Sequence, residues 1–265
     1  MSSISFKHIY GPVYSWRLGY SLGVDPLTVK SKICNYDCTY CQLGRSSDLT
    51  TERQNFISTT AILEEIRELP ADVPVDVITF SGRGEPTLAK NLGEMIRAIQ
   101  DEFKKKVAVI TNSALLDDED VVKDLQMADI VLTKLDSGDQ ISFEAVDKPA
   151  GVYSHQKIVE GIKNFRQLYQ GHLALQMMFV ESNQDKGKQM AEIAREIGAD
   201  EIQINTPLRS CPDHPLPEEK LNEIKSYFDG LPAYTVYEKE KKELESARDP
   251  EAVKRHGRTR RTVSE

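Results

Sequence analysis

PVDVITFSGRGEPTLAKNLGEMIRAIQDEFKKKVAVITN, residues 74–112, decides the fold. It opens and closes on apolar, β-branched runs, 74–81 and 107–112, the composition of strands buried on both faces. The two runs lie about 30 residues apart, the spacing of a repeated β–α unit. The alternation continues outward in both directions. Upstream, GYSLGVDPL (19–27) reads as an extended segment, and 58–69 as a helix with Ile62, Ile66 and Leu69 on one stripe behind Ser58 as its N-cap. Downstream, strands are expected at 129–136, 172–180 and 201–205, and helices at 117–127, 154–169, 184–197 and 217–228. Six β–α units result, and parallel strands joined by right-handed crossovers follow from the spacing. Such units build a doubly wound open sheet or a partial barrel, and periodicity alone leaves both open.

The chain of 265 residues is long enough for one sizeable core, and its 39% apolar and 29% charged residues are ordinary for a globular protein. No run approaches the ~18 apolar residues of a membrane span. The N-terminus, MSSISFKHIYGPV, lacks the apolar core of a secretory signal. A cytoplasmic protein with no membrane contact is therefore expected. A net charge of −8 argues against nonspecific coating of nucleic acid. From Lys254 onward there are five basic residues and one acid, so this tail carries +4 and the remainder −12. It reads as a solvated end rather than a phosphate-binding arm. Residues 1–230 read as one domain. A short strand, YTVYE (234–238), and a charged helix then make 231–265 a C-terminal appendage.

Polar and glycine-rich residues gather after the expected strands, at 34–41, 82–85, Asn112, Asp136 and 205–209. Active sites of parallel α/β folds lie at the C-terminal ends of the strands, so one site built from several strand ends is expected. Arg17, Arg83, Lys134 and Arg209 are candidate substrate-facing cations, suited to a phosphate or a carboxylate. Trp16 reads as packing.

Four cysteines are present, and Cys34, Cys38 and Cys41 fall within eight residues, CNYDCTYC. Clustered thiols in a reducing compartment point to a metal rather than to disulfides. Three thiolates can ligate three irons of a cubane and leave the fourth iron open. Zinc is the competitor; it favours a fourth ligand, and only Cys211 could complete a four-cysteine set.

C-x3-C-x-aromatic-C, with Tyr40 as the aromatic, resembles the signature of the radical S-adenosylmethionine (SAM) superfamily. The resemblance implies a partial (βα)6 barrel, a 4Fe–4S cluster on Cys34, Cys38 and Cys41, and SAM chelating the fourth iron. It also implies a reductant such as flavodoxin or ferredoxin, and reductive cleavage of SAM to a 5′-deoxyadenosyl radical that abstracts hydrogen. Ser81–Thr87, SGRGEPT, is similar to the superfamily's glycine-glycine-glutamate-proline loop, which implies that Gly82, Gly84 and Glu85 hold the methionine amine. Asn112 and Asp136 stand where members contact the ribose and carboxylate of SAM, and Asn205 where they border the adenine.

GPVYSWRLGYSLGVDP (11–26), with FSGRGEPTL and INTPLRSCP, is similar to a small branch of radical enzymes related to the 4-demethylwyosine synthases, which act on tRNA. Those synthases hold a second cluster through cysteines upstream of the radical loop, and here no cysteine precedes Cys34. The expected substrate is a small molecule or a protein, with tRNA base modification behind them and a nonenzymatic four-cysteine zinc module as the remaining alternative.

Overall fold

The computed structural model describes residues 6–15, 17–27, 31–45, 49–151 and 153–238. Trp16, the expected charged C-terminal helix and the basic tail lie outside the described residues.

The described residues form a single eight-stranded sheet in chain order: β1 (Ile9–Ser15), β2 (Gly19–Val24), β3 (Val77–Phe80), β4 (Lys106–Thr111), β5 (Ile130–Lys134), β6 (His172–Met178), β7 (Glu201–Asn205) and β8 (Ala233–Thr235). From β2 onward every pairing is parallel. The last strand does not return to the first, so the sheet stays open as a partial barrel of the α/β class. Helices α1 (Thr59–Arg67), α2 (Leu92–Phe103), α3 (Glu119–Leu125), α4 (Gln140–Val146), α5 (His155–Leu168), α6 (Gly187–Ile197) and α7 (Glu218–Ser226) fill the connections.

Two differences from the sequence reading concern the ends of the sheet. β1 was not expected as a strand; it pairs antiparallel with β2, its register shifting between Tyr10 and Val13 around Gly11-Pro12. The strand expected at 234–238 lies at Ala233–Thr235 instead, where β8 pairs with β7 and continues the sheet.

The period of two along each strand separates two cores. Outward-facing Ile78, Phe80, Val107, Val109, Val131, Leu173, Leu175, Ile202 and Ile204 join the large cluster under the helices. Inward-facing Val77, Ala108, Leu132 and Ala174 form a small separate cluster inside the curve of the sheet. Two residues further along three of these strands, the same inner face carries Thr79, Lys134 and Gln176. The inside of the barrel thus passes from apolar near the strand starts to polar at the strand ends.

Local chemistry sets the helices. Ser58 caps α1, accepting a hydrogen bond from Ala61 N, and Ile62 and Ile66 bury its inner stripe. Asp139 caps α4 reciprocally: its side chain accepts from Ser142 N at 2.8 Å, and Ser142 Oγ accepts from Asp139 N at 3.1 Å. With these hydrogen bonds and Lys186 Nζ at 3.0 Å, the Asp139 carboxyl is held down at about 2. A depressed carboxyl contributes stability that is complete above its unfolded value of about 4 and lost as pH falls. Asp139→Ala is expected to cost about 1 kcal/mol at pH 7. In urea titrations, the gap from wild type should shrink as pH falls from about 4 towards about 2.

Candidate active site

The cysteine loop follows β2 at the C-terminal rim of the sheet and is clamped from two sides. On one side Ile33 N donates to Arg83 O at 2.9 Å and Glu85 N donates to Ile33 O at 3.0 Å, joining it to the loop after β3. On the other, Asp37 N donates to Asp147 O at 3.1 Å and Thr39 N to Val146 O at 2.9 Å, so the end of α4 lies along CNYDCTYC. Tyr36 meets Phe143 and Tyr153 edge-on, with ring centroids 5.5 and 5.8 Å away. A loop held this way carries its thiols on a fixed backbone.

The glycines after β3 are required by close approach. A Cβ on Gly82 would sit 2.4 Å from the Asp25 carboxyl carbon, and one on Gly84 would sit 1.4 Å from Ile33 O. Asp25 shapes the loop from below, accepting from Arg83 N at 3.1 Å and from Leu27 N at 3.0 Å. Tyr10 reaches across β2 to place its hydroxyl 2.5 Å from Ser81 Oγ, and only a glycine at position 23 leaves room for its ring.

Glu85 is 2% exposed. Its carboxylate accepts from Thr87 N (3.1 Å), Thr87 Oγ1 (2.8 Å), Thr111 Oγ1 (2.7 Å) and Asn112 N (2.7 Å). Burial pushes its pKa up against the pull of these donors. The side chain therefore organises the rim from β3 to β4. Asn112 then turns its amide to Asn35 Oδ1 at 2.5 Å, with Cys34 Sγ at 3.8 Å.

A second buried group surrounds Cys38. Lys134 Nζ lies 3.1 Å from Asp136 Oδ2 and 4.3 Å from the centre of the Tyr40 ring, and it also donates to the Tyr40 hydroxyl. That hydroxyl donates to Asp136, whose other oxygen accepts from Met178 N at 2.6 Å. Asp147 approaches Cys38 Sγ to 3.8 Å. Burial works against the Lys134 charge, yet Asp136, Cys38 and Asp147 outweigh it and hold the ammonium above its ordinary pKa. Burial and then Asp147 push the Cys38 thiol well up, and burial and then Glu85 push Cys34 up to about 11. Metal binding must expel those protons, so cluster assembly is coupled to deprotonation. Lys32, 3.2 Å from Asp37 Oδ1 and 3.3 Å from Gly44 O, adds a cation beside the three thiols. Burial opposes its charge, but Cys41, Cys34 and Asp37 leave its pKa raised.

The donor set fits an iron–sulfur cubane. Cys34, Cys38 and Cys41 are free thiols on one short loop, with the buried Lys32 cation beside them. Zinc favours four ligands around one centre, and Cys211 is held in its own loop by Asp213 O. In a cubane each thiolate takes a different iron. Cys211 donates to Asp213 O at 3.3 Å and packs on the same apolar patch as Cys38, made of Tyr40, Val146 and Val180. At the end of β7, Asn205 is buried, and its Oδ1 has no hydrogen-bond partner.

The structure thus brings Cys34, Cys38, Cys41, Tyr40, Gly82, Arg83, Gly84, Glu85, Asn112, Lys134, Asp136 and Asn205 to one rim of the sheet. It does not bring Arg17 there. Ser15 pairs with Gly19 at the start of β2, so the turn between them lies at the opposite, N-terminal rim. The expectation that Arg17 faces the same substrate is corrected by that antiparallel pairing. Lys32, Asn35, Asp25, Tyr10 and Asp147 were missed. Asp25 was legible in GVDP, while Asp147 meets Cys38 across 109 positions.

Comparison with known proteins gives the family of the chain. Residues 28–194 match the model of the Radical SAM superfamily. A UPF0026 protein of Synechocystis sp. is 40% identical over 209 residues, 78% of each chain. Among solved structures, a radical SAM methyltransferase from Sphaerobacter thermophilus superposes with a TM-score of 0.61 at 14% identity, covering 81% of this chain and 65% of that one. TYW1 with a lysine-pyruvate adduct bound superposes at 0.59 and 15% identity, covering 79% and 72%. These two likenesses show the fold. The chain belongs to the radical SAM superfamily, whose members are enzymes that use a 4Fe–4S cluster and SAM, with a reductant and a substrate. No helix of the described residues is long and apolar enough to cross a membrane.

Proposed function

We propose that Cys34, Cys38 and Cys41 hold a 4Fe–4S cluster whose open iron takes SAM, and that the product radical abstracts hydrogen from a small molecule or a protein. When bound, the cluster supplies the electron that cleaves the carbon–sulfur bond of SAM to methionine and a 5′-deoxyadenosyl radical. The observation that carries this reading is a three-thiol loop bonded through Ile33 to the SGRGEP loop, at the rim where the strands end.

The protein's own residues divide the work. The backbone around Gly82, Gly84 and Glu85 offers carbonyls to the methionine amine, while the Glu85 side chain fixes their direction through its protein donors. Asn112 and Asp136 border the ribose and carboxylate, and Asn205 borders the adenine. Tyr40 walls the site and is tied by its hydroxyl to Asp136. Lys134 and Arg83 present positive charge to the substrate, Lys134 kept cationic by Asp136. A flavodoxin or ferredoxin supplies the electron, and the setting is cytoplasmic. tRNA stands second, because the chain carries −8 and has no cysteine before Cys34 for a second cluster.

Glu85→Ala strands the hydroxyl and amide donors now satisfied by the carboxylate. By loosening the carbonyls that meet the amine, it is expected to weaken SAM binding by about 1.5–3 kcal/mol in calorimetry on cluster-loaded protein, the scale of leaving buried donors unsatisfied. Unchanged affinity would make the loop a structural turn. The activity itself is tested by anaerobic incubation of reduced, cluster-loaded protein with SAM. Formation of 5′-deoxyadenosine is expected, rising when the substrate is present in lysate fractions.

A further inference from the structure

Lys32 stands just before Cys34, and its side chain is only 5% exposed. Its ammonium donates to Asp37 Oδ1 at 3.2 Å and to Gly44 O at 3.3 Å, and Gly44 N donates to Cys41 O at 3.1 Å. Asp37 lies between Cys34 and Cys38, and Gly44 lies past Cys41. One side chain therefore ties together both halves of the cysteine loop.

The ion pair is asymmetric. The Asp37 side chain is 20% exposed, so water screens the carboxylate more than it screens the ammonium. Withdrawing an ammonium from water is costly, and a pair that only held the loop shut could sit at the surface. The charge reaches every thiol. Burial works against the Lys32 ammonium, whereas Cys41, Cys34 and Cys38 all favour it. Burial and Glu85 oppose a thiolate at Cys34, and Lys32 supports one. Around Cys38 the Lys134 cation is already matched by Asp147 and Asp136.

We propose that Lys32 sets the reduction potential of the cluster, its buried charge stabilising the added electron and so easing reduction by the donor protein. The inference rests on the three-cysteine cluster proposed above. One-electron reduction adds a negative charge to the cubane, and a poorly screened cation beside it favours the reduced form. The ammonium acts through space and needs no bond to the metal.

The test is the midpoint potential of the cluster-loaded full chain without SAM, from a dye-mediated redox titration that follows the signal of the reduced cluster. Lys32→Met should keep its iron and lower the equilibrium constant for reduction about tenfold, a fall of about 59 mV for a one-electron couple. Lys32→Arg keeps the charge and should keep the wild-type potential. Asp37→Asn leaves an oxygen to accept from Lys32 but removes the compensating charge, so its potential should rise. A mere latch on the loop would not move the two neutralised variants in opposite directions. Potentials of Lys32→Met and Asp37→Asn that match the wild type, or that shift the same way, would overturn the inference and leave the cluster reading intact. Should Lys32→Met lose its iron, Asp37→Asn decides: a rise supports the inference, and an unchanged or lower value overturns it. A wild type that takes up no iron would overturn the cluster reading itself, and this inference with it.

Discussion

Alanine at Cys34, Cys38 or Cys41 is expected to remove the visible absorbance of the reconstituted protein and all SAM cleavage, whereas Cys211→Ala keeps both. A cubane held by three thiolates loses one of its three protein ligands in each of these variants. The prediction is sharpest at Cys211, because its side chain touches the same Tyr40–Val146–Val180 patch as Cys38. Proximity alone would make it a plausible fourth ligand. Its thiol, however, donates to Asp213 O in its own loop, and the three-thiol loop is complete without it. Removing one part-buried sulfur should cost about 1 kcal/mol of stability, within the small end of core truncations. Iron content near four per chain in Cys211→Ala, and near zero in the other three, would support the assignment. Loss of iron in the Cys211 variant would restore the four-cysteine alternative.

Gly84→Ala should be nearly as damaging without touching any ligand. Its new Cβ would lie 1.4 Å from Ile33 O, a bonding distance, so the loop after β3 must separate from the cysteine loop. Separation breaks the hydrogen bonds Ile33 N to Arg83 O and Glu85 N to Ile33 O, both part of one short parallel bridge. The cost is expected to be about 3 kcal/mol or more, in the range of strain and broken buried networks. Far-ultraviolet circular dichroism should remain that of the wild type, because the sheet and helices lie outside the bridge. Iron retention and SAM affinity should both fall, and their joint loss distinguishes a broken clamp from a lost amine contact. A Gly84→Ala protein that retains iron and binds SAM normally would mean that the two loops do not depend on each other.

The middle of the fold was legible because β3 to β7 are short apolar runs separated by helices with clear stripes. β1 escaped notice because IYGPVYS places Gly11-Pro12 in mid-strand, where proline withholds a ladder hydrogen bond and the register shifts. That omission explains the misplacement of Arg17. A residue in a turn before an expected strand can sit at either rim, and only the antiparallel direction of β1 fixes it at the N-terminal one. Asn112, Asp136 and Asn205 could be named from position alone, since a parallel sheet puts every strand end on one rim. The side-chain partners could not. Asn35 reaches Asn112 across 77 positions and Tyr40 reaches Asp136 across 96, contacts set by the curvature of the sheet and the docking of α4. Glu85 shows the same limit, for its motif marked it as important, and the structure shows that protein donors surround its carboxylate.

The central claim, an open iron on a three-cysteine cluster, is tested most directly by electron paramagnetic resonance of the dithionite-reduced, cluster-loaded protein before and after SAM is added. SAM binding at an iron without a protein ligand changes the surroundings of that iron, so the spectrum of the reduced cluster is expected to shift on addition of SAM. A Cys211→Ala sample should shift in the same way. A reduced cluster whose spectrum is identical with and without saturating SAM would contradict the account, because every iron would then be closed to the cofactor.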